Sequence, residues 1–366
     1  MLNEAIVKNE EKAVFALRGL YKQYGYLPFK MSKFEEYDLY VQNKDFLVSD
    51  SVITFTDRSG KLLALKPDVT LSIIKNTRDE KGVKQKVYYD ENVYRVSGST
   101  HEYKEIMQAG LECIGDIDAY DVFEVIYLAA KSLATISSDF VLDLSHMGIF
   151  AALLDETSDS DSFKREVTKC ISEKNPHETV ALCERYGISV DNTAMLVDFI
   201  KLYGNIEEVL PKLSAICKTE KQRAEFVILE NICNLLMKTE YKDNIKLDFS
   251  VVNDMNYYNG IVFKGFLSGI CEGVLSGGEY GRLMRRMGRK SNAVGFALYL
   301  DLLEDLNRES AVYDVDVLLV YSDEVKTEAV YSKVRELTEC GKTVSAQKKI
   351  PEKIRYKELL YMESEA

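Results

Sequence analysis

Apolar residues in the first quarter of the chain recur first with a helical period and then with a strand period. A helix is predicted near the N-terminus, ending before Gly25 and Pro28, because its apolar positions are spaced by three or four residues (Val14, Leu17, Leu20, Tyr21, Tyr24). The segment SVITFTDRSGKLLALKPD alternates apolar and polar residues around Arg58-Ser59-Gly60. That alternation predicts a β-hairpin with a tight turn. A second helix is predicted after Pro67, with Leu71, Ile73 and Ile74 on its apolar positions.

Strand patterns dominate the next stretch. KVYYDENVYRV predicts two short aromatic strands around Asp90-Glu91-Asn92, and IMQAGLECIGD continues in the same style. A helix is predicted over about residues 120–137, and FVLDLSHMG returns to strand alternation.

Charged residues become more frequent from about residue 153 to 241, where helical periods replace the strand patterns. We interpret this stretch as a helical insertion. Strand patterns resume at IKLDFSVV, NYYNGIVFKGFL and GICEGVLSGGEYG, and AVGFALYLDLLEDL predicts an apolar helix. The final part has a strand–helix–strand order. This order predicts an α+β fold with an antiparallel sheet, a core domain over residues 1–310 and a short α/β segment over residues 311–366.

Composition narrows the class of protein. The 366 residues are 46% hydrophobic and 29% charged, an ordinary balance for a globular chain. The net charge is −12, whereas proteins that hold a nucleic-acid backbone need a basic surface, so nucleic-acid binding is disfavoured.

Cysteine and histidine usage argues against metal and disulfide chemistry. The seven cysteines are scattered without a CxxC motif, which indicates reduced thiols in a cytoplasmic protein. Three histidines are too few for a histidine-rich metal site, and we expect no metal and no cofactor. The N-terminal segment MLNEAIVKNEEKAV is too polar for a signal peptide, and no apolar run is long enough to span a membrane.

Several motifs, in this order, resemble the histidine branch of the class II aminoacyl-tRNA synthetases. FTDRSGKLLALKPDVT resembles the family's hairpin and its Arg-Pro-Glu-x-Thr segment. NVYRVSGSTHEYKEIMQAGLECIG resembles the second motif, with Arg95, Gln108 and Glu112 at matching positions. NYYNGIVF resembles the histidine-specific Tyr-Tyr-Thr-Gly segment, and LSGGEYGRL with AVGFALYLDLL resembles the Gly-Gly-x-Tyr loop and the third motif. The resemblance covers roughly residues 1–306.

This resemblance implies a fold and a histidine pocket. The fold is a class II synthetase-like antiparallel sheet flanked by helices, with the pocket on one sheet face. The implied histidine-binding residues come from four segments of the chain (Asp68, Thr70, Arg95, Gln108, Glu112, Tyr257, Tyr258, Tyr280).

The chemistry of free histidine agrees with these residue types. Asp68 could accept from the ligand ammonium, supported by Thr70 and Gln108, and Glu112 could accept from an imidazole N–H. A tyrosine hydroxyl, placed by the resemblance at Tyr258, could bind the other ring nitrogen. Burial of so polar a ligand requires a partner for each of its polar atoms.

The arginines that a synthetase needs for ATP are largely missing. Asn253 stands where the family has an arginine before its tyrosine pair, and Glu279 replaces the arginine of Gly-Gly-Arg-Tyr. The segment from His101 to Lys104 lacks the second motif's arginines, and Asp301-Leu302 stands where the third motif has Glu-Arg. Because phosphoryl chemistry needs positive charge, we expect no histidyl-adenylate formation and no catalytic residues.

A non-charging branch of the same family fits this pattern, the regulatory subunits of short-form ATP phosphoribosyltransferases. They resemble this chain in Pro67-Asp68, where the synthetase has Pro-Glu, and in the segment SHMGIF over residues 145–150. This resemblance implies a homodimer within a hetero-oligomer, with the catalytic subunit as partner and histidine as feedback inhibitor. Two alternatives stay open: a divergent histidyl-tRNA synthetase, and a free-standing amino-acid-binding or amino-acid-activating paralogue.

Some candidate site residues also have a purely structural interpretation. The tyrosine pair could be ordinary strand aromatics, since the chain has 23 tyrosines, and Asp68 could be a helix N-terminal acid. Gln108 and Glu112 could form an exposed polar stripe. Arg95 could form an ion pair with Glu91 or Glu105.

Two further features have mainly structural interpretations. The basic cluster GRLMRRMGRK is read as a solvated loop or helix, with an anion site or a partner surface as the alternative. His146, at a strand end, is read as a packing or capping residue.

Overall fold

The computed structural model describes residues 7, 9–43, 52–96, 101–252, 257–305 and 313–363. The chain divides into two compact units, Met1–Leu306 and Asn307–Ala366. In the described part of the chain, no helix is both long and apolar enough to cross a membrane.

The helices predicted near the N-terminus, after Pro67 and over about residues 120–137 are present, whereas the short helix over Tyr37–Gln42 was not predicted. The helices in the described residues are α1 (Asn9–Gln23), α2 (Tyr37–Gln42), α3 (Val69–Asn76), α4 (Ala119–Ile136), α5 (Met147–Thr157), α6 (Asp161–Ser172), α7 (Pro176–Arg185), α8 (Val190–Ile200), α9 (Ile206–Ile216), α10 (Glu220–Leu236), α11 (Gly281–Arg286) and α12 (Thr327–Glu339), with a 3₁₀ helix over Asp301–Asp305. The helices α5 to α10 fill the stretch that the sequence indicates as a helical insertion.

The strands form one large sheet and two small ones. They are β1 (Leu27–Pro28), β2 (Phe34–Glu36), β3 (Thr54–Thr56), β4 (Leu62–Leu65), β5 (Lys84–Val96), β6 (Tyr103–Gly115), β7 (Phe140–His146), β8 (Tyr203–Asn205), β9 (Ile245–Asp248), β10 (Ile261–Leu267), β11 (Leu275–Glu279), β12 (Asn292–Tyr299), β13 (Val315–Tyr321), β14 (Val344–Gln347) and β15 (Tyr356–Met362). The large sheet has nine strands in the order β1-β5-β6-β12-β11-β10-β7-β9-β8. The small sheets have the orders β2-β4-β3 and β14-β13-β15.

The large sheet is mixed, which refines the prediction of an antiparallel sheet. Every neighbouring pair from β5 across to β7 is antiparallel. The pairs β1/β5 and β7/β9, toward the two edges, are parallel. The α+β fold is confirmed, with its helices segregated from an essentially antiparallel sheet.

Two predicted elements are wrong. KVYYDENVYRV is one continuous strand, β5, because its polar centre stays in the ladder: Asp90 pairs with Ala109 and Asn92 with Met107. AVGFALYL is the central strand β12, between β6 and β11, and not a helix. A central strand buried on both faces gives a continuous apolar run, which periodicity cannot distinguish from a buried helix.

The two faces of the large sheet have different coverings. On one face, Tyr21 of α1 contacts Phe296 of β12 with ring centroids 6.0 Å apart, and Leu133 of α4 lies against Gly265 of β10. On the opposite face, α3 and α11 cover only part of the sheet, packing around Tyr89, Tyr280 and neighbouring apolar residues. This second face also carries the polar side chains Gln108 and Glu112, and we call it the site face.

Candidate functional site

The register of the central strands places the predicted second-motif residues on the site face. Glu112 of β6 pairs with Gly295 of β12, which pairs with Gly278 of β11. Directly paired residues point to the same side of a sheet, as do residues two or four apart on one strand. Gln108 therefore shares the site face with Glu112, and both are buried. They do not form the exposed polar stripe of the structural alternative.

Glu112 is the centre of the site. Its side chain is only 2% exposed. The Thr70 hydroxyl donates to Glu112 Oε1 at 2.9 Å, and the Tyr280 hydroxyl donates to Glu112 Oε2. Burial raises the pKa of Glu112 to about 8. The two hydroxyl donors lower the pKa, but the effect of burial is larger. Glu112 is therefore mainly protonated in the free protein at neutral pH.

Gly295 makes room for this carboxyl group. A Cβ atom at position 295 would lie 1.7 Å from Glu112 Oε2 and 2.5 Å from the Leu111 carbonyl oxygen. Any side chain there would displace the carboxyl or the strand. Sequence analysis missed Gly295, because it lies in the run that was assigned to a helix.

Asp68 begins α3 at the edge of the site. Its Oδ1 accepts from the Leu71 N–H at 2.9 Å, so the side chain caps the helix as the structural interpretation proposed. Burial raises the pKa of Asp68, opposed by this backbone hydrogen bond and by Arg95. The cap places Thr70 in the first turn of α3, within reach of Glu112.

Arg95 supports the same turn. Its Nε donates to the Pro67 carbonyl oxygen at 3.0 Å. The two carboxylates considered as its ion-pair partners bind other groups: Glu91 pairs with the buried Lys66 at 3.1 Å, and Glu105 accepts from the Tyr94 hydroxyl at 3.0 Å. Arg95 thus fixes the backbone that leads into the Asp68 cap.

The tyrosines form one aromatic wall. The ring centroids of Tyr257 and Tyr258 are 4.6 Å apart, and those of Tyr257 and Tyr280 are 5.9 Å apart. Both residues of the pair precede β10 instead of lying within a strand, so they are not the strand aromatics of the structural interpretation. Burial raises the pKa of all three hydroxyls, with Glu112 contributing in each case. Neutral phenols next to buried carboxyls can donate hydrogen bonds to a polar ligand.

Glu279 anchors the tyrosine segment from behind. Its Oε1 accepts from the Ile261 N–H at 2.8 Å, and its backbone carbonyl accepts from the Asn259 N–H at 3.0 Å. Glu279 pairs with Val294, one residue out of phase with Gly295, so its side chain points away from the site face. It acts on the backbone and does not face the ligand position.

The other positions where the synthetase carries arginines lie in different environments, and one of them falls outside the described residues. Asn253 lies outside the described residues, while Glu102 is exposed and Leu302 lies in the 3₁₀ helix. The basic cluster is partly structural: Arg289 donates to the carbonyl oxygens of Ile74 and Thr77 at the end of α3, at 3.0 and 2.6 Å. These contacts favour a structural interpretation for Arg289.

All eight predicted ligand residues lie in the larger unit, and most of them meet around Glu112. The site offers carboxyl, hydroxyl and amide groups and an aromatic wall, a set suited to a small polar ligand with both donors and acceptors. Among the described residues, no group of three or more His, Cys, Asp or Glu side chains could hold a metal ion.

Comparisons with known proteins show which proteins the chain resembles in sequence. A model of the histidyl-tRNA synthetase family matches residues 2–303. The ATP phosphoribosyltransferase regulatory subunit of Caldanaerobacter subterraneus is 30% identical over 338 residues, which cover 89% of this chain and 87% of that protein.

Two solved structures share the fold. An ATP phosphoribosyltransferase regulatory subunit/histidyl-tRNA synthetase from Bacillus halodurans has a TM-score of 0.74 at 23% identity, covering 96% of this chain and 93% of that one. The ATP phosphoribosyl transferase (HisG:HisZ) complex from Thermotoga maritima contains a chain with a TM-score of 0.63 at 20% identity, covering 79% of this chain and 96% of that one.

Proposed function

The chain belongs to the histidyl-tRNA synthetase family and, within it, to the ATP phosphoribosyltransferase regulatory subunits, and we propose that it senses free histidine for a catalytic partner. In this proposal the chain carries out no chemistry of its own. It activates the short-form catalytic subunit of ATP phosphoribosyltransferase, the first enzyme of histidine biosynthesis, and confers feedback inhibition when histidine binds.

The environment of Glu112 is the observation that carries the proposal. A deeply buried carboxyl whose pKa is strongly raised, and which two hydroxyl donors hold in place, is a candidate ligand-binding group. Strongly shifted pKa values also occur in purely structural networks. Here the same carboxyl lies beside the aromatic wall and the Asp68 cap, at the position that the family resemblance assigns to imidazole recognition.

Each polar group of histidine has a proposed partner in this site. The ligand ammonium lies toward Asp68 Oδ2, because Oδ1 is committed to the Leu71 N–H. The imidazole lies toward Glu112 and Tyr258, with Tyr257 and Tyr280 along its ring. Gln108 and Arg95 complete the set around the ligand carboxylate and ammonium.

Regulation follows from a difference in histidine affinity between two states of the complex. If histidine binds one state of the hetero-oligomer more tightly, it shifts the population toward that state and changes the partner's activity. The regulatory-subunit name of the Caldanaerobacter relative and the complex from Thermotoga maritima support a catalytic partner. We place the protein in the cytoplasm, with its cysteines reduced.

A second copy of this chain is the proposed partner of the small sheet β2-β4-β3. Ala64 faces inward and is buried, so the alternating residues Phe34, Phe55 and Leu63 face outward. Phe34 is 47% exposed and Phe55 38%, with their rings 5.6 Å apart in an edge-to-face contact. A paired aromatic group on an exposed sheet supports a homodimer interface.

Calorimetry with histidine, with ATP and with both together tests the site. We expect histidine to bind without ATP, and no histidine-dependent ATP–pyrophosphate exchange. Glu112→Ala and Tyr258→Phe should each weaken histidine binding by about 1–3 kcal/mol, since each leaves a ligand group unpaired. Tyr331→Phe, an exposed tyrosine of the smaller unit, is the matched control and should bind normally.

Contrary outcomes separate the competing functions. Clear exchange would establish a divergent histidyl-tRNA synthetase instead, and the family model's description is the observation that keeps this second function open. Histidine binding without capture of a short-form ATP phosphoribosyltransferase would point to a free-standing amino-acid-binding protein. Unchanged affinity in both site variants would remove the proposed pocket.

A further inference from the structure

A second polar cavity lies on the site face, at the junction between the large sheet and the helical insertion. Its volume is about 470 Å³, within the range of about 300–1,000 Å³ that is usual for small-molecule sites. Asp143, Lys264 and Phe266 line it from β7 and β10, Asp248 from β9, and Lys174 and Tyr203 from the helical insertion.

This cavity is separate from the proposed histidine site. The register places Lys264, Asp143 and Lys246 in one row across β10, β7 and β9, and that row continues through Ser276 to Gly110 of β6. Gly110 is two residues from Glu112. The strand of Asp143, β7, is four positions from the strand of Glu112, β6, in the sheet order. At the usual strand separation the two strands are roughly 19 Å apart.

Asp143 supplies an unused acceptor. Its side chain is 7% exposed, and its buried Oδ1 has no hydrogen-bond partner in the described part of the chain. A buried carboxylate oxygen without a donor costs free energy, so such an atom in a cavity wall indicates a missing donor. The neighbouring Lys246 does not supply one, because its ammonium is directed to Asn205 Oδ1 and to the Asp243 carbonyl oxygen.

The charged side chains of the opposite wall, Lys174 and Asp248, already form an ion pair and further hydrogen bonds. Lys174 Nζ donates to Asp248 Oδ2 at 2.7 Å and lies 4.5 Å from the centre of the Tyr203 ring. Asp248 Oδ1 accepts from the Ser250 N–H and hydroxyl at 2.9 and 2.6 Å. This pair links the helical insertion to β9 and closes one side of the cavity.

Lys264 pairs with Asp143 in the ladder, but in the described part of the chain the two side chains form no ion pair within 4.0 Å. Its ammonium lies 5.5 Å from the centre of the Phe266 ring. Asp143 and Lys264 therefore present one negative and one positive group on adjacent strands of the same wall.

The charge pattern selects the class of ligand. A cation alone would meet the ammonium groups of Lys264 and Lys174, and an anion alone would meet the carboxylates of Asp143 and Asp248. A ligand with both charges satisfies the wall, with its ammonium on Asp143 and its carboxylate on Lys264. We propose that this cavity is a second ligand site, which binds a small zwitterion of the amino-acid type.

Occupancy would tie the helical insertion to the sheet. The cavity walls come from α6 and β8 with their flanking residues on one side and from β7 and β10 on the other, so a bound zwitterion contacts both. The inference uses none of the eight histidine-site residues and does not depend on the proposed regulatory function.

Thermal shift and calorimetry on the full chain test this inference. The probes are the standard L-amino acids at millimolar concentration, tested on the wild type and on Glu112→Gln, in which we expect the histidine site to be weakened. We expect one or more of them to bind Glu112→Gln. Asp143→Asn and Lys264→Met in that background should each weaken this binding about tenfold or more, since each removes one charged partner.

Analogues of the binding amino acid provide the matched control. The corresponding carboxylic acid without the amine, and the amine without the carboxylate, should both bind about tenfold or more weakly. If no amino acid binds folded Glu112→Gln, or if binding survives both substitutions, the second site does not exist. The first site is tested separately, by comparing histidine binding of the wild type with that of the single variant Glu112→Gln. Failure of the first site and failure of the second site therefore give different results.

Discussion

Glu112 makes the stability of the free protein depend on pH. Its folded-state pKa of about 8 lies above its ordinary value of 4.5, and the cause is burial. Below pH 4.5 the group is protonated in both states and has no effect on unfolding. Between pH 4.5 and 8 the unfolded state releases the proton more readily, so the folded state loses relative stability as pH rises.

Glu112→Gln is expected to remove this part of the pH dependence. The amide keeps the size of the protonated carboxyl but cannot ionise. Residue 112 should therefore not lower the free energy of unfolding of the variant as pH rises above 5. The wild type should lose a few kcal/mol more than the variant between pH 5 and pH 8. Urea unfolding without histidine at both pH values measures the difference. Equal slopes for the two proteins would show that Glu112 ionises normally in the fold.

Residue-level reasoning predicted which residue types would lie together better than it predicted their contacts. Alternation along a strand is enough to place Gln108 and Glu112 on one face, and a Pro-Asp pair is enough to suggest a helix cap. The contacts of Glu112 with Thr70 and Tyr280 join residues 42 and 168 positions apart. Such contacts depend on the packing of three elements, which no local pattern records.

At the scale of elements, helix starts were easier to predict than central strands. The cap at Asp68 and the hairpin around Ser59 follow from side-chain hydrogen bonds within a few residues. The run in β12 has the same composition as a buried helix, and only its pairing with β6 and β11 decides its conformation. The polar centre of β5 resembles a turn, but Asp90 and Glu91 are paired with Arg18 and Lys66 and remain in the strand.

The start of α5 depends on one buried histidine. His146 Nδ1 accepts from the Ile149 N–H at 3.2 Å, which confirms the interpretation as a capping residue. Burial lowers the pKa of His146 to about 4, so the ring is neutral at pH 7 and the acceptor is available. This contribution is complete above the ordinary pKa of 6.5 and is lost as pH falls toward 4.

His146→Leu should destabilise the protein by about 1–2 kcal/mol at pH 7, because it keeps much of the volume and removes the acceptor. His146→Asn is the matched control, since asparagine retains an acceptor at the cap position. Chemical unfolding of the two variants measures the difference. A Leu variant as stable as the Asn variant would show that packing, and not capping, is the role of this ring.

At the scale of the whole molecule, the net charge of −12 coexists with two aromatic side chains on one exposed small sheet. Strong like charge disfavours non-specific association, so an apolar surface can persist without aggregation when it has a defined partner. The proposed homodimer would cover this surface. The sequence could not reveal it, because the outward direction of Phe34 and Phe55 follows from which face of the sheet packs against the core.

Replacing both aromatic residues should separate the copies. In Phe34→Ser/Phe55→Ser the small sheet keeps its inward residue Ala64, so the fold should survive while the association constant falls by about tenfold or more. Sedimentation velocity over a concentration series measures this, with Tyr331→Ser as the control, because Tyr331 is 64% exposed in the smaller unit. A control that dissociates equally, or a double variant that sediments as the wild type does, would place the homodimer interface elsewhere. Dissociation confined to the double variant would show that the two copies meet through this sheet. Strand β4 of the sheet ends just before Pro67 and the Asp68 cap. Dimer formation and the proposed histidine site would then share one short segment of chain.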